Sequence, residues 1–177
     1  MSYILTYKKI EFYPLDPKIE DIDIEDIAHA LSLLCRANGH FKHFYSVGLH
    51  SLNCAYEAIS RGYPKNVVLG CLIHDASEAY LADITRPVKK HLSKYLEIED
   101  VLQGMVFKKW IPDLTEEERK HIFEIDDAIL YYEFLDLFNE KIFDFVPTLN
   151  STPRFNFIDF SIVENEFLQL FDKLTTN

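Results

Sequence analysis

The stretch VVLGCLIHDASEAY, residues 67–80, opens with seven apolar or small residues and then places His74, Asp75 and Glu78 within five positions. A run that is apolar on every face, with Pro64 to open it, predicts a helix surrounded by others. Ionised side chains at the end of such a helix each cost on the order of several kcal/mol unless they are paired, hydrogen-bonded or bound to a metal. Taking His74 as the origin and ~100° per residue, Asp75 falls at about 100° and Glu78 at about 40°. Glu78 therefore leans between the other two, one turn further on. A cation gripped by His74 and Asp75 would have Glu78 placed to orient a bound water.

Around this helix the chain has an ordinary globular composition, with 177 residues, 48% hydrophobic and 27% charged. Only 5 glycines and 7 prolines leave few of the turns that many short strands need, so an all-α fold is expected. The pattern reads as one domain over residues 1–177. Residues 1–20 form an extended arm that carries Pro14 and Pro17. A first helix starts after the cap Asp23 and ends at Asn38-Gly39, with Ile24, Ile27, Leu31, Leu34 and Cys35 as its apolar stripe. A second runs from the cap Ser46 to about Arg61, with Val47, Leu52, Ala55 and Ile59 on its core side. A further helix covers about 94–110. TEEE at 115–118 is a capping box opening a long helix to about Asn139. Residues 140–158 read as loop and about 160–173 as a last helix.

The net charge of −11 opposes a polynucleotide partner, because nucleic-acid affinity comes largely from neutralising phosphates with Lys and Arg. Cys35, Cys54 and Cys71 lack metal-type spacing and read as reduced core thiols. The opening MSYILTYKK lacks the plan of a signal peptide, and no apolar run approaches the ~20 residues that span a bilayer. A cytoplasmic protein without membrane attachment is expected.

A mononuclear cation needs more donors than His74 and Asp75 supply. His50, near the start of the second helix, and Asp126, on a stripe with Ile122, Ile129 and Leu130, are the best further candidates. Periodicity alone leaves Asp127 open beside Asp126, since Asp127 lies alongside Phe123, Leu130 and Phe134. His50 alone would more often be a core histidine. Trp110 reads as core, and Gly62-Tyr63-Pro64 as a turn between helices.

Three motifs in order, YSVGLHS, LIHDASEAYLADITRPVK and IDDAILYYE, resemble the HD-domain metal-dependent phosphohydrolases, in the small bacterial and phage branch related to 5'-deoxynucleotidases. The resemblance runs from about Ile22 to Leu137, so that the motif-bearing core spans about 22–138, and the arm TYKKIEFYPLDP is similar too. It implies a compact helical HD-domain fold holding one divalent metal (Mn, Co, Fe, Zn, Ni or Mg) through His50, His74, Asp75 and Asp126. Asp126 is preferred because the family's final ligand stands seven residues before a Glu, here Glu133. Glu78 would then orient or deprotonate the attacking water, and Asp83 would serve at the substrate and in proton handling. Arg36 matches the family's phosphate-orienting arginine, while Thr85, Arg86 and Lys89 are further candidates for substrate contact and His29 for the pocket wall. Ala37 stands where the nucleotidases carry a tryptophan that excludes the ribose 2'-hydroxyl. His91 and His121 are too few for a second metal site.

The implied activity is hydrolysis of a small phosphorylated substrate, a nucleoside monophosphate. The alternatives are a nucleotide pyrophosphohydrolase or alarmone-type hydrolase on the same metal, and a non-catalytic sensor or adaptor in which the metal ties helices together. The 14 Phe and 10 Tyr point to an aromatic face that a homodimer could use, although most of these rings should be core.

Overall fold

The computed structural model describes residues 2–176, and the two ends of the expected 1–177 span, Met1 and Asn177, lie outside the described residues. The chain is all-α, as its composition predicts. The helices are α1 (Ile24–Leu33), α2 (Val47–Ser60), α3 (Lys65–Ile73), α4 (Glu78–Leu81), α5 (Arg86–Lys89), α6 (Ser93–Trp110), α7 (Glu116–Leu137) and α8 (Phe160–Thr175). Asp23 caps α1, Ser46 caps α2, and Thr115 and Glu118 close the capping box that starts α7. In each case a side-chain oxygen satisfies an amide that the first helical turn leaves without a partner.

Helix α3 is the axis of the molecule. Every residue from Val67 to Ile73 is buried, and α2, α6, α7 and α8 pack around it. Such all-round burial removes any polar face, which is why its sequence shows no amphipathic period. Gly70 of α3 meets Ile122 of α7, and Gly48 of α2 lies against the Leu31–Ser32 backbone of α1. The first brings the early part of α7 against α3 near its end, and the second seats the start of α2 on the end of α1. Helix α8 lays Val163, Phe167, Leu170 and Phe171 on the bundle, so the C-terminal segment completes the core. Trp110 packs edge-on against Phe171 and belongs to that core.

The arm is shaped rather than merely extended. Ile4–Leu5 and Glu11–Phe12 pair antiparallel, and Phe12 is fully buried in a stack on Tyr80 with ring centroids 3.9 Å apart. The loop between α7 and α8 is held by one buried carboxylate. Glu57 accepts bonds from the Asn150 and Ser151 amides, the Ser151 hydroxyl and Arg61.

Two helix ends differ from the periodicity reading. The first helix stops at Leu33, not at Asn38-Gly39, because the Cys35–Ser46 bridge pulls the chain into an extended pairing. Arg36–Gly39 then forms a separate tight turn, in which Ala37 (φ 52°) and Asn38 (φ 50°) are left-handed. At the other end of the core, α3 stops at Ile73, and residues 74–80 continue on i→i+3 bonds such as Glu78 N to Asp75 O. Ile59, expected inward, is exposed on the outer side of α2.

A Val at position 70 should overpack the α3–α7 contact and lower stability by about 1–3 kcal/mol. At roughly 2–4 °C per kcal/mol this is readable by thermal unfolding, and an unchanged melting temperature would contradict the close approach.

Candidate metal centre

Four polar side chains from three parts of the fold meet at the buried end of α3. His50 comes from the first turn of α2, His74 and Asp75 from the end of α3, and Asp126 from the middle of α7. The two Nε2 atoms stand 3.2 Å apart. Asp126 Oδ1 lies 3.1 Å from His50 Nε2 and 3.8 Å from His74 Nε2. Asp75 Oδ2 lies 3.3 Å from His74 Nε2 and 3.8 Å from His50 Nε2. Donors held at ~2.1 Å from one ion stand about 3–3.4 Å from each other, so these spacings fit a common cation.

The tautomers point the same way. His74 Nδ1 donates to the Cys71 carbonyl at 2.8 Å, and His50 Nδ1 donates to Glu133 Oε1 at 2.6 Å. Each neutral ring therefore turns an Nε2 lone pair toward the other, and two lone pairs at that distance need positive charge between them. Protons can supply it. Burial and the Arg36 guanidinium push the His50 pKa down, but Glu133 and Asp126 outweigh them and hold it above its ordinary value. Burial likewise opposes charge on His74, yet Asp75 and Asp126 raise its pKa well above the usual range. The same contacts hold the Asp126 and Asp75 carboxyls below theirs, against burial. A divalent cation can take the place of those protons, and the residues fit it.

Cys54 brings a sulfur beside the cluster that sequence reasoning treated only as a core thiol, and burial pushes that thiol's pKa well above its usual range, against the thiolate that ligation needs. Its Sγ sits 3.5 Å from His50 Nε2, and His50, Cys54, His74 and Asp126 each offer an atom within 4.8 Å of the others. The i,i+4 spacing from His50 was the available signal. Glu133 is the second omission. The sequence reading used it only as a ruler for Asp126, but it is fully buried and orients His50. Two turns beyond Asp126, it falls on the same face of α7.

The tightened end of α3 changes the place of Glu78. With about three residues per turn, Glu78 lies over Asp75 rather than between His74 and Asp75. Burial, then Asp75 and Asp83, raise its pKa well above the ordinary range, and its Oε2 is buried without a partner among the described residues. Asp83 follows Ala82, whose φ of 126° and ψ of 156° are normally glycine's territory; the Tyr95 hydroxyl donates to the Ala82 carbonyl. Burial raises the Asp83 pKa too, with Arg36 opposing.

A cavity of about 620 Å³ opens beside these groups, large enough for a nucleotide-sized ligand. Arg36, Ala37, His74, Asp75, Glu78, Asp83, Thr85, Arg86, Lys89 and Asp126 all line it. The cations there are already engaged. Arg36, itself buried, places Nη1 3.3 Å from Asp75 Oδ2 and Nε 3.3 Å from Glu133 Oε2, the latter too poorly aligned for a hydrogen bond. Arg86 bridges Asp126 and Asp127, and Lys89 binds Glu99 at 2.6 Å. Asp127 thus holds Arg86, while Asp126 turns its other oxygen inward. His29 lies elsewhere, stacked on Tyr7 and bonded to Glu164, because its face of α1 meets the arm and α8. His121 stacks on Tyr63, and neither it nor His91 lines the cavity.

No family model matches the chain. Over 110 residues, 62% of the chain and 59% of the relative, it is 38% identical to the uncharacterized protein YfdR of Escherichia coli. Over 98 residues, 52% of the chain and 50% of the relative, it is 42% identical to the uncharacterized protein RCAP_rcc00048 of Rhodobacter capsulatus. The chain thus spans 50–59% of the length of these curated relatives. Among the described residues no helix is long and apolar enough to cross a membrane, and all three cysteines are free.

Replacing Glu133 by Leu should cost about 3–5 kcal/mol, because the buried Arg36 loses a counter-charge and His50 its anchor. Chemical denaturation of the single variants and of the Arg36→Leu/Glu133→Leu double variant measures the coupling. Strict additivity would mean that the two side chains do not support each other.

Proposed function

We propose that this chain is an HD-type metal-dependent phosphohydrolase that converts a nucleoside monophosphate to nucleoside and inorganic phosphate. The observation that carries this reading is the facing pair of Nε2 atoms, each aimed by a bond from its own Nδ1, with Asp75 and Asp126 on the same point. A purely structural cluster would need none of the further groups on the cavity side. Glu78 and Asp83, both with raised pKa values, add proton-handling capacity next to it.

A divalent cation held by His50, His74, Asp75 and Asp126 would supply Lewis acidity toward a phosphoryl oxygen and lower the pKa of a coordinated water. Glu78 would be the group that accepts a proton from the attacking water, since burial, Asp75 and Asp83 raise its proton affinity above that of a free carboxyl. Arg36 presents Nη2 without a protein partner among the described residues and meets a phosphate oxygen, while its Nη1 and Nε steady Asp75 and Glu133. Asp83, beside Glu78 on the cavity wall, holds the proton for the leaving-group oxygen. Arg86 can turn from Asp126 and Asp127 toward the phosphate, because its side chain is more than half exposed. Free thiols accord with work in the cytoplasm.

Purified protein loaded in turn with Mn²⁺, Co²⁺, Ni²⁺, Zn²⁺, Fe²⁺ and Mg²⁺ should release phosphate from some ribo- or deoxyribonucleoside monophosphates. Glu78→Gln should retain the metal and lose roughly 10²–10⁴-fold in kcat, whereas His74→Ala and Asp126→Ala should lose both. Absence of phosphate release across the panel sinks the reading, and pyrophosphate or tripolyphosphate as product would redirect it to a longer phosphate chain.

Metal uptake should weaken as pH falls, because ligation needs both imidazoles neutral. The folded-state pKa values of His50 and His74 are raised, so the loss should begin above the ordinary histidine value of about 6.5. Calorimetric titration between pH 6 and 8 should also record proton release on binding. A flat profile would contradict the ligand assignment.

A further inference from the structure

The cavity has two unlike ends. One holds the carboxylates, histidines and engaged cations described above. The other is a cleft between α6 and α7, which follow one another in sequence yet do not pack along their lengths. Its α7 wall continues the stripe of Asp126 outward through Phe123 and Ile122, about one turn or ~5–6 Å along the axis. Its α6 wall is Leu96, Glu99, Asp100, Gln103 and Phe107, with Glu99 tied to Lys89 at 2.6 Å.

Two features make this cleft more than an apolar dent. Phe123 is 61% exposed although it stands one turn before Asp126 on α7, so this flat ring on the cavity wall has little cover from the protein itself. Gln103, the one carboxamide among the lining residues, is bonded to the backbone at both ends. Its Oε1 accepts from the Ser77 amide, and its Nε2 donates to the Ile73 carbonyl. It therefore braces the end of α3, and those two bonds fix its amide plane. Arg119 lies with its guanidinium 4.9 Å from the Phe107 ring and extends the flat wall.

We propose that the α6–α7 cleft binds the organic group of a phosphorylated ligand, and that it selects flat, apolar aryl or heteroaryl groups by contact with Phe123, Phe107 and Ile122 rather than by hydrogen-bond readout. The assignment rests on the phosphohydrolase reading for the phosphate end. Selection by apolar area makes ligands that share a phosphate but differ in ring surface differ in affinity, whereas exchange of polar groups at the ring edge changes little.

The test uses phosphonates, which are not hydrolysed and so separate binding from leaving-group reactivity. Calorimetry of the metal-loaded chain should give benzylphosphonate roughly tenfold or more tighter binding than methylphosphonate, the increment expected from removing part of a phenyl ring from water. Phe123→Ala should erase most of that preference and leave methylphosphonate binding unchanged. Because Phe123 is exposed, its melting temperature should match the parent chain's. Equal affinities for the two phosphonates, or a preference that survives in Phe123→Ala, overturn the cleft assignment. Phosphate release measured on the same samples keeps the two readings apart. Hydrolysis without the aryl preference removes the cleft and keeps the phosphohydrolase, while the aryl preference without hydrolysis does the reverse.

Discussion

The contact on which the rest of this structure depends is the bond between His50 Nδ1 and Glu133, made where neither side chain touches solvent. A carboxylate in such a place is costly unless opposite charge surrounds it. Arg36 supplies part of that charge, so three distant segments are tied at one point: the turn after α1, the first turn of α2 and the second half of α7. Burial works against the ionised form of Glu133, yet Arg36 and His50 hold its pKa below the ordinary value. The price of burying this trio is recovered as orientation. With Nδ1 held, the His50 ring turns Nε2 toward His74 and Asp126.

Several irregularities of the chain follow from that demand. For Arg36 to reach inward, α1 must stop short and the backbone must pass through the Cys35–Ser46 bridge into a left-handed turn. For Asp75 to face the same point as His74, the end of α3 tightens into i→i+3 bonds, and Gln103 of α6 braces both strands of that bend. Regular helices furnish the positions, and departures from regular helix aim the side chains.

The electrostatics and the shape of the cavity are complementary. Each cation nearest the cluster already faces a carboxylate, and the carboxylates there outnumber the cations. The wall between α6 and α7 adds apolar surface from Leu96, Phe107, Ile122 and Phe123, with Glu99, Asp100 and Arg119 among them, whereas the other end of the cavity carries the ionic cluster.

Much of this was determined by sequence alone. The all-round apolarity of residues 67–73 required a central helix, the Asp23, Ser46 and Thr115 caps placed three helix starts, and the costly residues after Ile73 marked the site. These are local signals, carried by neighbours in the chain. Periodicity could not choose Asp126 over Asp127, because both fall on plausible faces; the fold decides, turning one to the histidines and the other to Arg86. Nor could it find Glu133 or Cys54, whose meaning comes from a partner on another helix or one turn away. The stop of α1 and the tightening after α3 likewise answer to contacts far off in sequence. Helical period registers which face is buried, but only the packed chain fixes which buried groups meet, since that depends on where separate helices end and how closely they cross.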